Sequence, residues 1–223
     1  MYKSILIAVL ILTVSGFSSA QDLNEIPMYG GKQKPPELVK ADEEFVEFMV
    51  KQFGSREAAS DDAIRRGFAY LAKNDWRTAM KRFNQAWLLT PDRAEVFWGF
   101  GATLSYQGKF AESEKYFLKA ISFAPNNGRL LNDFGFMYLF WATKGAKNKP
   151  DRERYLDKSL EFFERASRLE SSYERIYFNW AVSLFFNQDY KGAWEKIKEA
   201  ERLGGKSIEQ KFINDLTKKM PRP

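Results

Sequence analysis

The chain has 223 residues, 44% of them hydrophobic, and a formal net charge of +6 from 35 basic and 29 acidic side chains. That length suits one folded domain, and a mild basic excess with no concentrated stripe argues against nucleic acid as a partner. There is no cysteine and no histidine, which excludes disulfides, thiolate nucleophiles and the commonest metal ligand and general base, so no cofactor is expected.

Residues 1–20 read as a secretory signal peptide. Lys3 supplies the positive start, Ile5 to Val14 form an apolar run too short to span a bilayer comfortably, and Ser18 and Ala20 precede a cut before Gln21. The alternative is an uncleaved anchor. Lipid modification after the apolar run would need a cysteine, so the mature chain is expected to be periplasmic or secreted, with no stable membrane anchor. Residues 21–36 contain Pro27, Gly30, Gly31, Pro35 and Pro36 and predict a flexible, extended tether. Over 37–54, Phe45, Met49 and Phe53 share one helical stripe and Gly54 suits a C-terminal cap. This N-terminal helix either covers the first repeat or stands free for a partner.

Residues 60–205 carry a repeat. Gly67, Gly101 and Gly135 are spaced by 34, as are Phe83 and Phe117, Ala86 and Ala120, and Pro91 and Pro125. Within 94–127, apolar and small residues recur three and four apart at Phe97, Phe100, Gly101 and Leu104. Gln107-Gly108-Lys109 interrupts them, and Ser113, Phe117, Ala120 and Phe123 resume the spacing before Pro125. Each unit is therefore expected to be a helical hairpin. The units are 60–93, with Ser60 as the expected N-cap, then 94–127, 128–173 and 174–205. The third is longer by 12 residues, inserted near 141–154 and rich in lysine (Lys144, Lys147, Lys149), as a loop or a helix extension. Residues 206–223 predict a capping helix and tail, with Ile208, Phe212 and Leu216 on one face.

This pattern resembles the tetratricopeptide repeat family. The small position of the first helix is Gly67, Gly101, Gly135 and Ala181, and the partner positions on the second helix are Phe83, Phe117, Phe163 and Ile197. Ser171 and Gly205 replace the closing proline in the last two repeats, and Ala63 stands where a large residue is usual. The resemblance implies an all-α fold, a right-handed superhelical array of about four hairpins. It also implies a concave groove lined by the first helices. The positions that match supply Ile64 and Phe68 from the first repeat, then Trp98 and Tyr106 from the second. The third gives Arg129, Asn132, Phe136 and Phe140, and the fourth gives Arg175, Phe178, Asn179 and Phe185. These aromatics either meet a ligand or pack between adjacent repeats, and the N-terminal segment could itself fill the groove. The lysine and asparagine clamp of chaperone-binding members is missing, since Ile64 and Phe68 occupy its positions.

Apparent catalytic motifs do not hold. Gly205-Lys206-Ser207 follows a helix and has Ala200 where a phosphate-binding loop needs glycine. Gly99-Phe100-Gly101 begins a dinucleotide fingerprint but has Leu104 at its third position. The expectation is a non-enzymatic scaffold of the bacterial cell envelope that binds a protein or peptide. A glycan-binding factor using Trp98, Tyr106 and Phe136 is the alternative, and an enzyme with a carboxylate-only site a third reading.

Overall fold

The structure, a computed structural model, describes residues 23–31 and 33–223. The expected signal peptide and its cut before Gln21 lie outside these residues. Among them there are ten α-helices and no strand. Helix α1 spans Pro36–Phe53, and four hairpins follow: α2 (Arg56–Ala72) with α3 (Trp76–Leu89), α4 (Ala94–Tyr106) with α5 (Phe110–Phe123), α6 (Gly128–Lys144) with α7 (Lys149–Leu169), and α8 (Glu174–Phe186) with α9 (Tyr190–Arg202). Helix α10 (Gln210–Lys219) ends the helical array. No helix among the described residues is long and apolar enough to cross a membrane.

Local chemistry sets the helix ends. Asp75, Asn127, Asn148 and Asp189 each accept a hydrogen bond from the backbone N–H three residues on, at 2.8–3.0 Å, which satisfies a donor that the first turn leaves free. Three hairpin turns place a left-handed residue at the same phase: Asn74 (φ 63°), Gly108 (φ 74°) and Gln188 (φ 65°). The next N–H then reaches back five residues, from Asp75 to Tyr70, Lys109 to Leu104 and Asp189 to Leu184. The first hairpin begins one turn earlier than expected. Ser55 is its N-cap, accepting from the Ala58 N–H at 3.0 Å. Ser60 is fully buried, with its hydroxyl bonded to that of Thr90 at 2.5 Å.

Packing rests on rings laid against glycines. Phe83, Phe117 and Phe163 are at most 1% exposed. A Cβ placed on Gly67 would stand 2.6 Å from the Phe83 ring, and one on Gly99 only 2.2 Å from it. The same construction gives 2.8 Å between Gly101 and Phe117 and 3.0 Å between Gly135 and Phe163. Real side chains do not approach as closely as the first three distances and seldom as closely as the fourth, so each ring is fitted to a neighbour without a side chain. Gly99 faces a ring of the preceding hairpin, which makes Phe83 a link between two units.

Eleven of the 12 extra residues of the third repeat form helix. Compared with α4 and α5, helix α6 is longer by four residues, α7 by seven, and the connection by one. The hairpin therefore overshoots its neighbours at the turn end.

Residues 23–31 do not behave as an extended tether. Buried Asn84 donates to the carbonyls of Asn24 and Ile26 at 2.9 Å and accepts from the Met28 N–H at 2.8 Å. Met28 to Gly31 form a left-handed turn, φ 52–74°, which buries Tyr29 with its ring 6.3 Å from that of Trp87. Asn84 and Trp87 lie on α3, so this segment sits on a second helix and leaves the first-helix face uncovered. Helix α1 packs Val46, Phe45 and Met49 against Ala59 and Leu89. At the other end the Glu174 carboxylate accepts from the Lys206 and Ser207 N–H groups at 2.8 and 2.6 Å, so the donors that a phosphate-binding loop would offer are held internally. Phe212 of α10 then meets Phe178 edge-on at 5.6 Å.

Candidate functional site

Helices α2, α4, α6 and α8 are the first helices of the hairpins, and their side chains meet in one line. Asn179 Nδ2 of α8 donates to the Asn132 side-chain Oδ1 of α6 at 3.1 Å. Asn132 donates to Asp133 Oδ1 at 2.9 Å, and Trp98 Nε1 of α4 donates to Asp133 Oδ2 at 3.0 Å. The Trp98 ring in turn packs edge-on against Phe68 of α2, centroids 5.0 Å apart. A polar group removed from water must be paired, and these amides and the carboxylate pair with one another across three helices.

Above this line is a pocket of about 160 Å³, lined by Ser105, Tyr106, Asp133, Phe136, Arg175 and Asn179, among others. Its walls are the exposed rings of Tyr106 and Phe136, 47% and 40% accessible. Arg175 is exposed and makes no hydrogen bond or ion pair among the described residues. Burial pushes the Asp133 carboxyl up to about 6, while the bonds from Asn132 and Trp98 and the Arg175 charge pull it down. Burial, with the Asp133 charge, also raises the Tyr106 hydroxyl. The site therefore offers a free guanidinium, two aromatic faces and an amide on a hydrogen-bonded floor.

The residues expected in the groove divide accordingly. Tyr106, Phe136, Arg175 and Asn179 line the pocket, and Asn132 and Trp98 lie beneath it. Ile64 and Phe178, expected to face a ligand, are each 8% exposed. Phe178 is covered because α10 closes the last repeat, and Phe185 packs on the same Phe212 at 5.5 Å. Phe68 sits between Phe83 and Trp98. Arg129 is paired with Glu170 at 3.0 Å, and Phe140 packs on Phe110 at 5.6 Å. Asp133 was not anticipated. One period earlier the equivalent residue is Gly99, which has no side chain, so the repeat phase does not mark the position as polar.

No protein-family model matches the chain, and no curated protein matches it in sequence. Solved structures do. TTC0263, a thermophilic TPR protein in Thermus thermophilus, is 16% identical, with 73% of this chain and 84% of that one covered at a TM-score of 0.66. YrrB, described as a TPR protein with an unusual peptide-binding site, is 18% identical, with 77% and 82% covered at a TM-score of 0.50.

Asp133 has a consequence for pH dependence. A carboxyl with a folded pKa near 6 and an unfolded one of about 3.9 holds its proton more tightly when folded, so this group's stabilisation is full at low pH and is lost as pH rises through 6. Urea unfolding of the parent and of Asp133→Asn, compared at pH 4.5 and pH 7, is expected to show the parent losing ground to the variant at the higher pH. A gap that does not change with pH would contradict the burial of the ionised group.

Proposed function

We propose that this chain, which has the fold of tetratricopeptide-repeat proteins, is a non-enzymatic scaffold that binds an extended peptide or protein segment in the pocket between Tyr106, Phe136 and Arg175. The observation that carries the reading is an exposed arginine that makes no hydrogen bond or ion pair among the described residues, beside two exposed aromatic rings. Arginine and aromatic side chains dominate the energetics of protein interfaces. Arg175 suits a carboxylate or carbonyl of the ligand, Phe136 and Tyr106 an apolar side chain, and Asn179 the ligand's backbone. The described N-terminal segment occupies α3 instead of this face. The likeness to YrrB, itself described by a peptide-binding site, agrees with this choice of ligand. A glycan is the poorer fit, because the Trp98 N–H is committed to Asp133 and its ring to Phe68.

The place of action in this proposal is the bacterial cell envelope. Its support is the charged start, short apolar run and small-residue cut within residues 1–20. Mass spectrometry of the mature chain is expected to find Gln21 at its N-terminus in soluble envelope material, and intact Met1 in membranes would contradict it.

The groove is tested with a ligand selected from a peptide library on the parent protein. Arg175→Ala and Phe136→Ala are expected each to weaken that peptide by about 1–4 kcal/mol in calorimetry. Their unfolding midpoints should stay near the parent's, since exposed positions usually change stability by about 0.5 kcal/mol or less. Undiminished affinity in both variants would place binding elsewhere.

A further inference from the structure

The overshoot of the third hairpin creates a second concavity. It lies where the turn end of α6 projects past the turn between α4 and α5, and it encloses about 880 Å³. Its floor is aromatic. Trp141 stacks on Tyr155 at 4.1 Å and on Phe110 at 5.7 Å, and the Phe110 ring tucks against Gly145, where an added Cβ would come within 2.6 Å of it. Its edge is basic. Lys109 comes from the short turn, Lys144 from the last turn of α6 and Lys147 from the connection, and all three are exposed. None of the three has a carboxylate partner among the described residues, whereas Lys149 beside them pairs with Glu153. Asp151 is neutralised by Arg154 at 2.9 Å, which leaves Glu112 as the acid facing the three lysines.

We propose that this cleft, which meets the groove pocket at Tyr106, is a second docking site, for an acidic segment of a partner protein that also carries aromatic or aliphatic side chains. Three unpaired ammonium groups on one rim repel one another and attract carboxylates, and this complementarity selects the sign of the occupant. The half-buried Trp141, laid over the buried Tyr155 and Phe110, and the exposed Tyr106 line the cleft with apolar area that a side chain covers better than a lone anion. The volume falls in the range of about 300–1,000 Å³ that holds a ligand of several groups instead of a single ion. On the opposite flank of the same overshoot Arg152 donates to the Phe186 carbonyl at 3.2 Å and ties α7 to α8.

The test uses the full chain and a fluorescein-labelled peptide alternating glutamate with phenylalanine, followed by anisotropy. Saturable binding that weakens with added salt is expected, together with much weaker binding of the glutamine counterpart. Lys144→Glu combined with Lys147→Glu should weaken the acidic peptide by about tenfold or more, equivalent to about 1.4 kcal/mol. Lys191→Glu with Lys198→Glu, the same charge change at exposed sites on α9, should leave it unchanged, and Arg175→Ala in the groove should weaken it less than the lysine pair does. Equal binding of the glutamine peptide would overturn the proposal, and so would equal loss in the α9 control or loss only in Arg175→Ala. Binding to phosphatidylglycerol vesicles without binding to the peptide would also overturn it, in favour of a membrane contact.

Discussion

The contact on which the structure depends is a phenylalanine ring set against a glycine. Phe83, Phe117 and Phe163 each fill the space that a missing Cβ leaves open on a first helix. Two helices can approach that closely only where one has no side chain, and the ring then fills the remaining gap to interior density. The glycines recur every 34 residues, and the rings do so apart from the 12 residues inserted before Phe163, so one spacing is imposed on the first three hairpins. Gly99 extends the contact across a boundary, since Phe83 belongs to the preceding unit. Stacking in a repeat array supplies much of the stability that a single hairpin lacks, and here the first two hairpins stack through one shared ring.

The groove follows from this spacing. Fixed first helices bring Trp98, Asp133, Asn132 and Asn179 within hydrogen-bond distance of one another, although they come from three different repeats. Such a line is stable only when all its members are satisfied, and it fixes the floor on which Tyr106 and Phe136 stand. The desolvated Asp133 carboxylate is the unfavourable member, held ionised by the Trp98 and Asn132 donors and by the Arg175 charge. Arg175 keeps its own hydrogen-bonding capacity for a ligand. The tie across the floor is therefore polar, while the exposed walls combine apolar rings with one unpaired charge.

The hairpins were legible because their cause is periodic. Glycine, phenylalanine and turn residues in phase are the packing rule written along the chain, and the expected helices fall within a few residues of those observed. What could not be read depended on contacts between distant segments. Asn84 meets Asn24 from 60 positions away, so a stretch rich in proline and glycine reads as a tether although a buried amide secures it. Phe178 repeats the spacing of a groove residue, yet Phe212 covers it from beyond the array. Ser60 has the chemistry of a cap but lies a turn inside the helix, where it bonds to Thr90. The insertion near 141–154 left loop and helix open because both satisfy its composition. Helix prevails through the Asn148 cap and the Tyr138, Trp141 and Tyr155 stack, neither of which is periodic.

The shared ring is most directly tested by a double-mutant cycle between Gly99→Ala and Phe83→Leu, read by urea unfolding. If Phe83 needs the vacancy at Gly99, the added methyl is strongly destabilising in the parent and much less so once the ring has been replaced by a smaller side chain. The coupling should fall within the range of about 0.5–3 kcal/mol seen for residues in contact. Additive effects, with Gly99→Ala equally harmful in both backgrounds, would contradict the claim that the ring-on-glycine contact sets the spacing of the hairpins.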